Sequence, residues 1–150
     1  MSNGGSDSQD GRGFAIFGND NELTGNLAKR NLDDGFNIFE DRNVLAGNRA
    51  DANARDGFHV DDDEFSDPVD PSEDNVLDGN RATNNQAEGI ENDGLDTVLI
   101  DNFSKGNRTD CAETAPWRST AATSAPTAAR SPRPARSTAA PADAPIPFCP

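Results

Sequence analysis

A chain of 150 residues supports one domain, and a hydrophobic content of 33% with a mean hydropathy of −0.79 leaves only a thin core to hold it. Thirteen basic residues against 27 acids give a formal charge of −14, and because the segment after Asp110 carries four arginines and two acids, residues 1–110 carry −16. A field of that sign repels phosphate backbones and anionic headgroups, which excludes nucleic acid as a partner of the body and favours cations or neutral sugars. No apolar run approaches the length of a membrane span, so no membrane insertion is expected.

Residues 1–12 form a leader rich in Gly, Ser and Asp, expected to be flexible, with no basic segment followed by an apolar one and hence no export signal. From Gly13 a repeat begins. Gly13-Phe14-Ala15-Ile16, Gly35-Phe36-Asn37-Ile38, Gly57-Phe58-His59-Val60 and Gly89-Ile90-Glu91-Asn92 align with glycines 22, 22 and 32 residues apart. Each is followed in constant register by a second motif, Asn21 to Asn26, Asn43 to Asn48, Asn75 to Asn80 and the weaker Thr97 to Asn102. A third mark falls five residues later, at Asn31, Asn53, Asn85 and Asn107. The one break in period is an insertion of ten residues within 61–74, which leaves both flanking registers in phase and therefore reads as a loop on a solenoid.

Within each motif apolar and polar positions alternate, as in a strand with one buried face. The columns so defined are Phe14, Phe36, Phe58 and Ile90; Ile16, Ile38, Val60 and Asn92; Leu23, Leu45, Leu77 and Leu99; and Ala28, Ala50, Ala82 and Ser104. A 22-residue coil buries three large side chains, worth roughly 1.5–3 kcal/mol each, against roughly 1–2 kcal/mol of backbone entropy per residue fixed. One coil cannot stand alone, but stacked coils pair every strand and enclose a continuous interior. Asn26, Asn48, Asn80 and Asn102 suit the turns between strands and can bond to one another as a structural ladder.

The pattern G-[FI]-x-[IV] followed by N-x-L-x-G-N-x-A-x-x-N resembles the right-handed parallel β-helix repeat proteins, in particular the NosD-like and carbohydrate-binding/sugar-hydrolase repeats of the pectin-lyase-like superfamily. The resemblance covers residues 13 to 108 and weakens in the fourth coil, where Asn92, Thr97 and Asp101 replace the repeat residues. The fold predicted is all-β, a right-handed parallel β-helix of about four coils over residues 13–110, followed by a disordered C-terminal tail, residues 111–150, rich in Ala, Pro, Ser, Thr and Arg. Both cysteines, Cys111 and Cys149, fall in or at the edge of that tail, so neither is expected to staple the body. Four coils without a helical cap suggest a fragment of a longer protein, or ends covered by a capping partner or by self-association. Relatives of this kind include polysaccharide lyases, hydrolases and epimerases, which implies a polysaccharide partner and an extracellular or periplasmic location.

Candidate chemistry lies on outward positions. Between the two buried positions of the first strand stand Ala15, Asn37, His59 and Glu91, and just after it stand Phe17, Phe39, Asp61 and Asp93. Aromatic faces stack on sugar rings and carboxylates accept hydroxyl hydrogen bonds, so Phe17, Phe39, Asn37, His59 and Glu91 are the candidate ligand-binding residues. His59 on its own reads as a solvated surface residue. The insertion supplies hard oxygen ligands, Asp61, Asp62, Asp63, Glu64 and Asp67, suited to Ca²⁺ if any cofactor is bound. No nucleophile-base order or zinc spacing appears. The leading reading is a non-catalytic module that binds carbohydrate or builds an exported or surface protein. The alternative is a truncated Ca²⁺-dependent polysaccharide lyase or glycoside hydrolase using Asp61, Asp63 and Asp93; a third is an unselected open reading frame.

Overall fold

A computed structural model describes residues 11–61, 71–113 and 148–149. Each coil contributes three short strands, and like strands of successive coils stack side by side in parallel. The first sheet holds β1 (Phe14–Ile16), β4 (Phe36–Ile38), β7 (Phe58–Val60), β10 (Glu88–Asn92) and β13 (Thr109–Glu113), in that order. The second holds β2 (Glu22–Thr24), β5 (Val44–Ala46), β8 (Val76–Asp78) and β11 (Val98–Ile100). The third holds β3 (Leu27–Lys29), β6 (Arg49–Asp51), β9 (Arg81–Thr83) and β12 (Asn102–Lys105), closed by an antiparallel strand β14 (Phe148–Cys149). This is the right-handed parallel β-helix of about four coils, and no helix occurs among the described residues.

The register is that of the repeat columns: Phe14 lies beside Phe36, Phe36 beside Phe58 and Phe58 beside Ile90, while Leu23, Leu45, Leu77 and Leu99 form one line and Ala28, Ala50, Ala82 and Ser104 another. The three phenyl rings stack face to face at 4.7 and 4.8 Å, the spacing of adjacent strands, so one sheet geometry satisfies both backbone pairing and ring contact. Phe36, Ile38, Leu45, Ala50, Phe58, Val60, Leu77 and Ala82 are wholly buried and form a single core running along the solenoid axis.

Three corners per coil turn the chain, and each corner sets a left-handed residue immediately before a ladder position. Asp20, Arg42, Asp74 and Asp96 occupy the first corner, Gly25, Gly47, Gly79 and Asp101 the second, and Arg30, Ala52, Asn84 and Gly106 the third. The asparagines that follow are joined coil to coil. Asn26 donates from its backbone N (2.9 Å) and its Nδ2 (3.1 Å) to Asn48 Oδ1. Asn48 does the same to Asn80, and Asn80 to Asn102. Asn31, Asn53, Asn85 and Asn107 form a second such ladder, and Asn21, Asn43 and Asn75 a third. In the first ladder each Nδ2 also reaches a carbonyl of the coil before it, Asn80 to Leu45 O and Asn102 to Leu77 O at 2.8 Å. The insertion leaves all of this undisturbed, because Asn75 resumes the ladder beneath Asn43.

Two features differ from the sequence reading. The winding continues beyond residue 110, since β13 pairs with β10 from Glu88↔Thr109 to Asn92↔Glu113. Cys111 therefore lies in the first sheet, packed against the core, and it is disulfide-bonded; the chain's other cysteine is Cys149, in the strand paired with β12. The expectation that the cysteines could not staple the body is corrected accordingly. Composition marks the tail as unlike the repeat, but carries no information that its last residues return to a sheet edge. Residues 114–147, most of the expected disordered tail, and the leader up to residue 10 lie outside the described residues.

Gly57 opens the first-sheet strand at a point where a Cβ would stand 2.5 Å from Gly89 O, 2.7 Å from Asn85 Nδ2 and 2.9 Å from Ala82 Cβ. Gly57→Ala forces backbone, ladder and core apart together and is expected to destabilise by about 3 kcal/mol, the upper part of the overpacking range. Asp101, by contrast, holds a left-handed backbone (φ 48°) where the other coils have glycine; Asp101→Gly is expected to stabilise by about 1 kcal/mol. Urea denaturation of both variants checks the pair, and midpoints moving in the same direction would refute this account of the corners.

Candidate functional site

The first sheet carries the site on its outer face. Because residues alternate across a strand, the register that turns Phe58 and Val60 inward turns His59 outward, with Asn37 on one side of it and Glu91 on the other. Immediately before the glycines of the second, third and fourth coils stand acids, Asp34, Asp56 and Glu88, and these are tied coil to coil. Asp56 N donates to Asp34 Oδ1 at 3.0 Å and Glu88 N to Asp56 Oδ1 at 2.6 Å. The repeated acid-glycine dipeptides Asp34-Gly35, Asp56-Gly57 and Glu88-Gly89 were the signal in the sequence for this column, which the reading by outward strand positions missed.

His59 is at the centre and is only 8% exposed, which corrects its reading as a solvated surface residue. Its neighbours are acids. Nε2 lies 3.2 Å from Asp93 Oδ2 and 4.0 Å from Glu91 Oε2, and Nδ1 lies 3.8 Å from Asp34 Oδ2, an ion-pair distance rather than a hydrogen bond. Asn37, also buried, donates from Nδ2 to Asp34 Oδ2 at 3.0 Å, so in this arrangement it serves the cluster and not the surface. Arg12 Nε stands 3.9 Å from the same oxygen. His59 Nδ1, Asp56 Oδ2 and Asn37 Oδ1 are buried without a hydrogen-bond partner.

The protonation states follow from this packing. Burial works against the charged imidazole, but Asp34 and Asp93 outweigh it and push the His59 pKa up to about 10. Asp56 is pushed up to about 8, first by burial and then by the neighbouring charge of Asp34, against the Glu88 amide that favours its ionised form. Asp34 is also opposed by burial, yet His59 and the Asp56 amide hold it below the ordinary carboxylate value. At neutral pH the cluster therefore holds a cationic imidazole and a neutral carboxyl, His59 and Asp56, beside the ionised Asp34.

Beside the cluster runs the column just after the strands. Backbone bonds from Phe39 N to Ile16 O, Asp61 N to Ile38 O and Asp93 N to Val60 O keep Phe17, Phe39, Asp61 and Asp93 in one line up the stack. The rings of Phe17 and Phe39 stack at 4.7 Å and 7°, Phe17 remains 70% exposed, and the Arg12 guanidinium lies 5.2 Å from the Phe39 ring centre. Aromatics thus occupy one end of the line and carboxylates the other. Of the sequence candidates, His59, Glu91 and Asp93 come together. Asp62, Asp63, Glu64 and Asp67 lie outside the described residues, so the Ca²⁺ loop is not part of this geometry; Asp61 alone of that group is described, its carbonyl accepting from Ser72 Oγ at 2.7 Å.

Comparison with known proteins agrees with this architecture. The family described as right handed beta helix region matches residues 2–114. Two solved structures, a double and a single mutant of the periplasmic alginate epimerase AlgG, superpose with TM-scores of 0.54 and 0.55 at 18% and 19% identity. They cover 76% and 66% of this chain, whereas the chain spans 25% and 27% of theirs, about a quarter of the length of these neighbours. No curated protein matches.

Both raised groups make the folded state hold protons that the unfolded chain has released. For Asp56 the stability so lost grows between about pH 4 and pH 8; for His59 the favourable pairing is complete below about pH 6.5 and disappears as pH rises through 10. Thermal stability is therefore expected to fall from pH 5 to pH 10. Asp56→Asn keeps an acceptor for Glu88 N and removes the titration, so its melting temperature relative to wild type should climb with pH across 4–8; a pH-independent difference would contradict the assignment.

Proposed function

Because the chain belongs to the right-handed β-helix family, we propose that it acts as a non-catalytic module binding carbohydrate along the outer face of its first sheet. The single observation that carries this reading is the stacked pair of exposed Phe17 and half-buried Phe39, which leaves ring surface in water beside a line of hydrogen-bonding groups. Exposed apolar surface rimmed by polar groups marks an interaction site, and sugar rings offer the matching combination of apolar faces and hydroxyl edges. Asp61 on one coil and Glu91 and Asp93 on the next, one strand spacing away, supply acceptors for hydroxyl donors.

Charge selects within that class. A body of −16 disfavours an acidic polymer, so the ligand is proposed to be a neutral glycan. A lyase or hydrolase reading draws less support: an imidazole held as a cation to about pH 10 is no base at neutral pH, and the ring is itself buried. The periplasmic neighbour and a disulfide at Cys111, a bond that persists in oxidising compartments, support an extracellular or periplasmic location.

Binding of the full chain to an array of neutral and acidic glycans tests the proposal. Neutral glycans are expected to bind, with affinity lowered about tenfold, or ~1.4 kcal/mol, by Phe39→Ala and by Phe17→Ala while the melting temperature changes little. Unaltered binding in both variants would remove the site.

A further inference from the structure

We propose that Asp34, Asp56 and His59 form a site for a divalent transition-metal ion of the zinc class, distinct from the aromatic glycan face. One ligand atom from each lies within 4.8 Å of the others, and all three residues are buried. His59 Nδ1 and Asp34 Oδ2 are 3.8 Å apart. Bonds of about 2.0–2.2 Å at a tetrahedral centre place ligands about 3.4 Å from one another, so binding asks for a contraction of a few tenths of an ångström at that pair.

Independent of this clustering, polar atoms of its residues lack hydrogen bonds. His59 Nδ1 and Asp56 Oδ2 are buried with no hydrogen bond, and Asn37 Oδ1, on the side chain that touches Asp34, is a third. A buried polar atom left without a hydrogen bond costs about 1–3 kcal/mol, which a cation that displaces the protons from His59 and Asp56 would relieve. The outer arrangement is also that of a metal-ligating histidine. The far nitrogen, Nε2, is held by Asp93 at 3.2 Å, fixing the ring and raising the basicity of Nδ1, while Asp34 and Asp56 are each oriented by the amide of the next coil. Two cations compete among the described residues, Arg12, which meets Asp34 at 3.9 Å, and Arg55, whose charge reaches Asp34 and Asp56; both are opposed by Glu88, Glu91 and Asp93 around the cluster.

The donor set decides the class of ion. One imidazole with two carboxylates suits Zn²⁺ or Mn²⁺, whereas Ca²⁺ takes six to eight oxygens and no nitrogen. Binding carries a defined balance: the metal takes the place of the proton on His59 Nδ1 and of the proton on Asp56, and both leave to solvent.

His59 is the chain's only histidine, so its imidazole resonances report on the site without assignment. Metal-free full-length protein titrated with Zn²⁺ alone is expected to take up one equivalent, shift both imidazole carbon-bound proton signals and gain thermal stability. Asp93→Asn should weaken uptake about 10–100-fold, His59→Gln should abolish it, and Asp51→Asn, on the third sheet, should leave it unchanged. Should His59→Gln fail to fold, the wild-type imidazole shifts and Asp93→Asn decide. No uptake, uptake that leaves the imidazole signals unmoved, or Ca²⁺ bound as tightly as Zn²⁺ would each overturn the proposal.

Discussion

Everything in this molecule depends on successive coils lying in one register, and the corner asparagines are the interaction that holds it there. Strand pairing alone tolerates slippage, because a backbone ladder looks alike at every second residue. Each corner asparagine removes that freedom. At the second and third corners the Oδ1 of every asparagine after the first coil accepts two bonds from the coil before it, from a backbone N and a side-chain Nδ2, and its own Nδ2 is spent within the stack. These groups are buried, so a shifted coil would leave several polar atoms unpaired at about 1–3 kcal/mol apiece. The thin apolar core, built from Phe, Ile, Leu and Ala columns, then fills an interior whose geometry the corners have set.

The same register builds the site. Outward positions of the first sheet acquire chemical meaning only because His59 is placed between Asn37 and Glu91 and above Asp34, residues distant in sequence. The carboxylate column before the strands behaves as a further ladder in which side-chain oxygens, rather than amides, receive the backbone N–H of the next coil. Burial there raises the cost of charge, and the imidazole offsets it. The third sheet also shields an acid, where Lys29 and Thr83 bracket the buried Asp51 at 2.8 and 3.0 Å and, with Lys29 the main cause, hold its carboxyl down to about 2.

The fold was legible because its determinants are local and repeated: Gly, Phe and Asn marks at constant spacing define columns without any knowledge of three-dimensional contacts. Where the determinants are neither, the sequence is silent. The burial of His59 depends on acids from three coils converging on it, which alternation along one strand does not reveal. Asp34 and Asp56 precede their strands and Glu88 opens β10, all outside the strand positions from which outward residues were drawn, although their recurrence before glycine is visible once sought. Cys111 illustrates the opposite limit. Its composition neighbourhood belongs to the tail, while its backbone belongs to the first sheet through pairing with Ile90.

Side-chain carboxamide hydrogen exchange measured by NMR tests the stacked-corner account most directly. Nδ2 protons of Asn48, Asn53, Asn80 and Asn85 are predicted to exchange as slowly as the backbone amides of the core strands, since both open only when coils separate. Exchange of those carboxamides at the rate of solvent-exposed asparagine, with the strand amides still protected, would show that the corners do not hold the coils together.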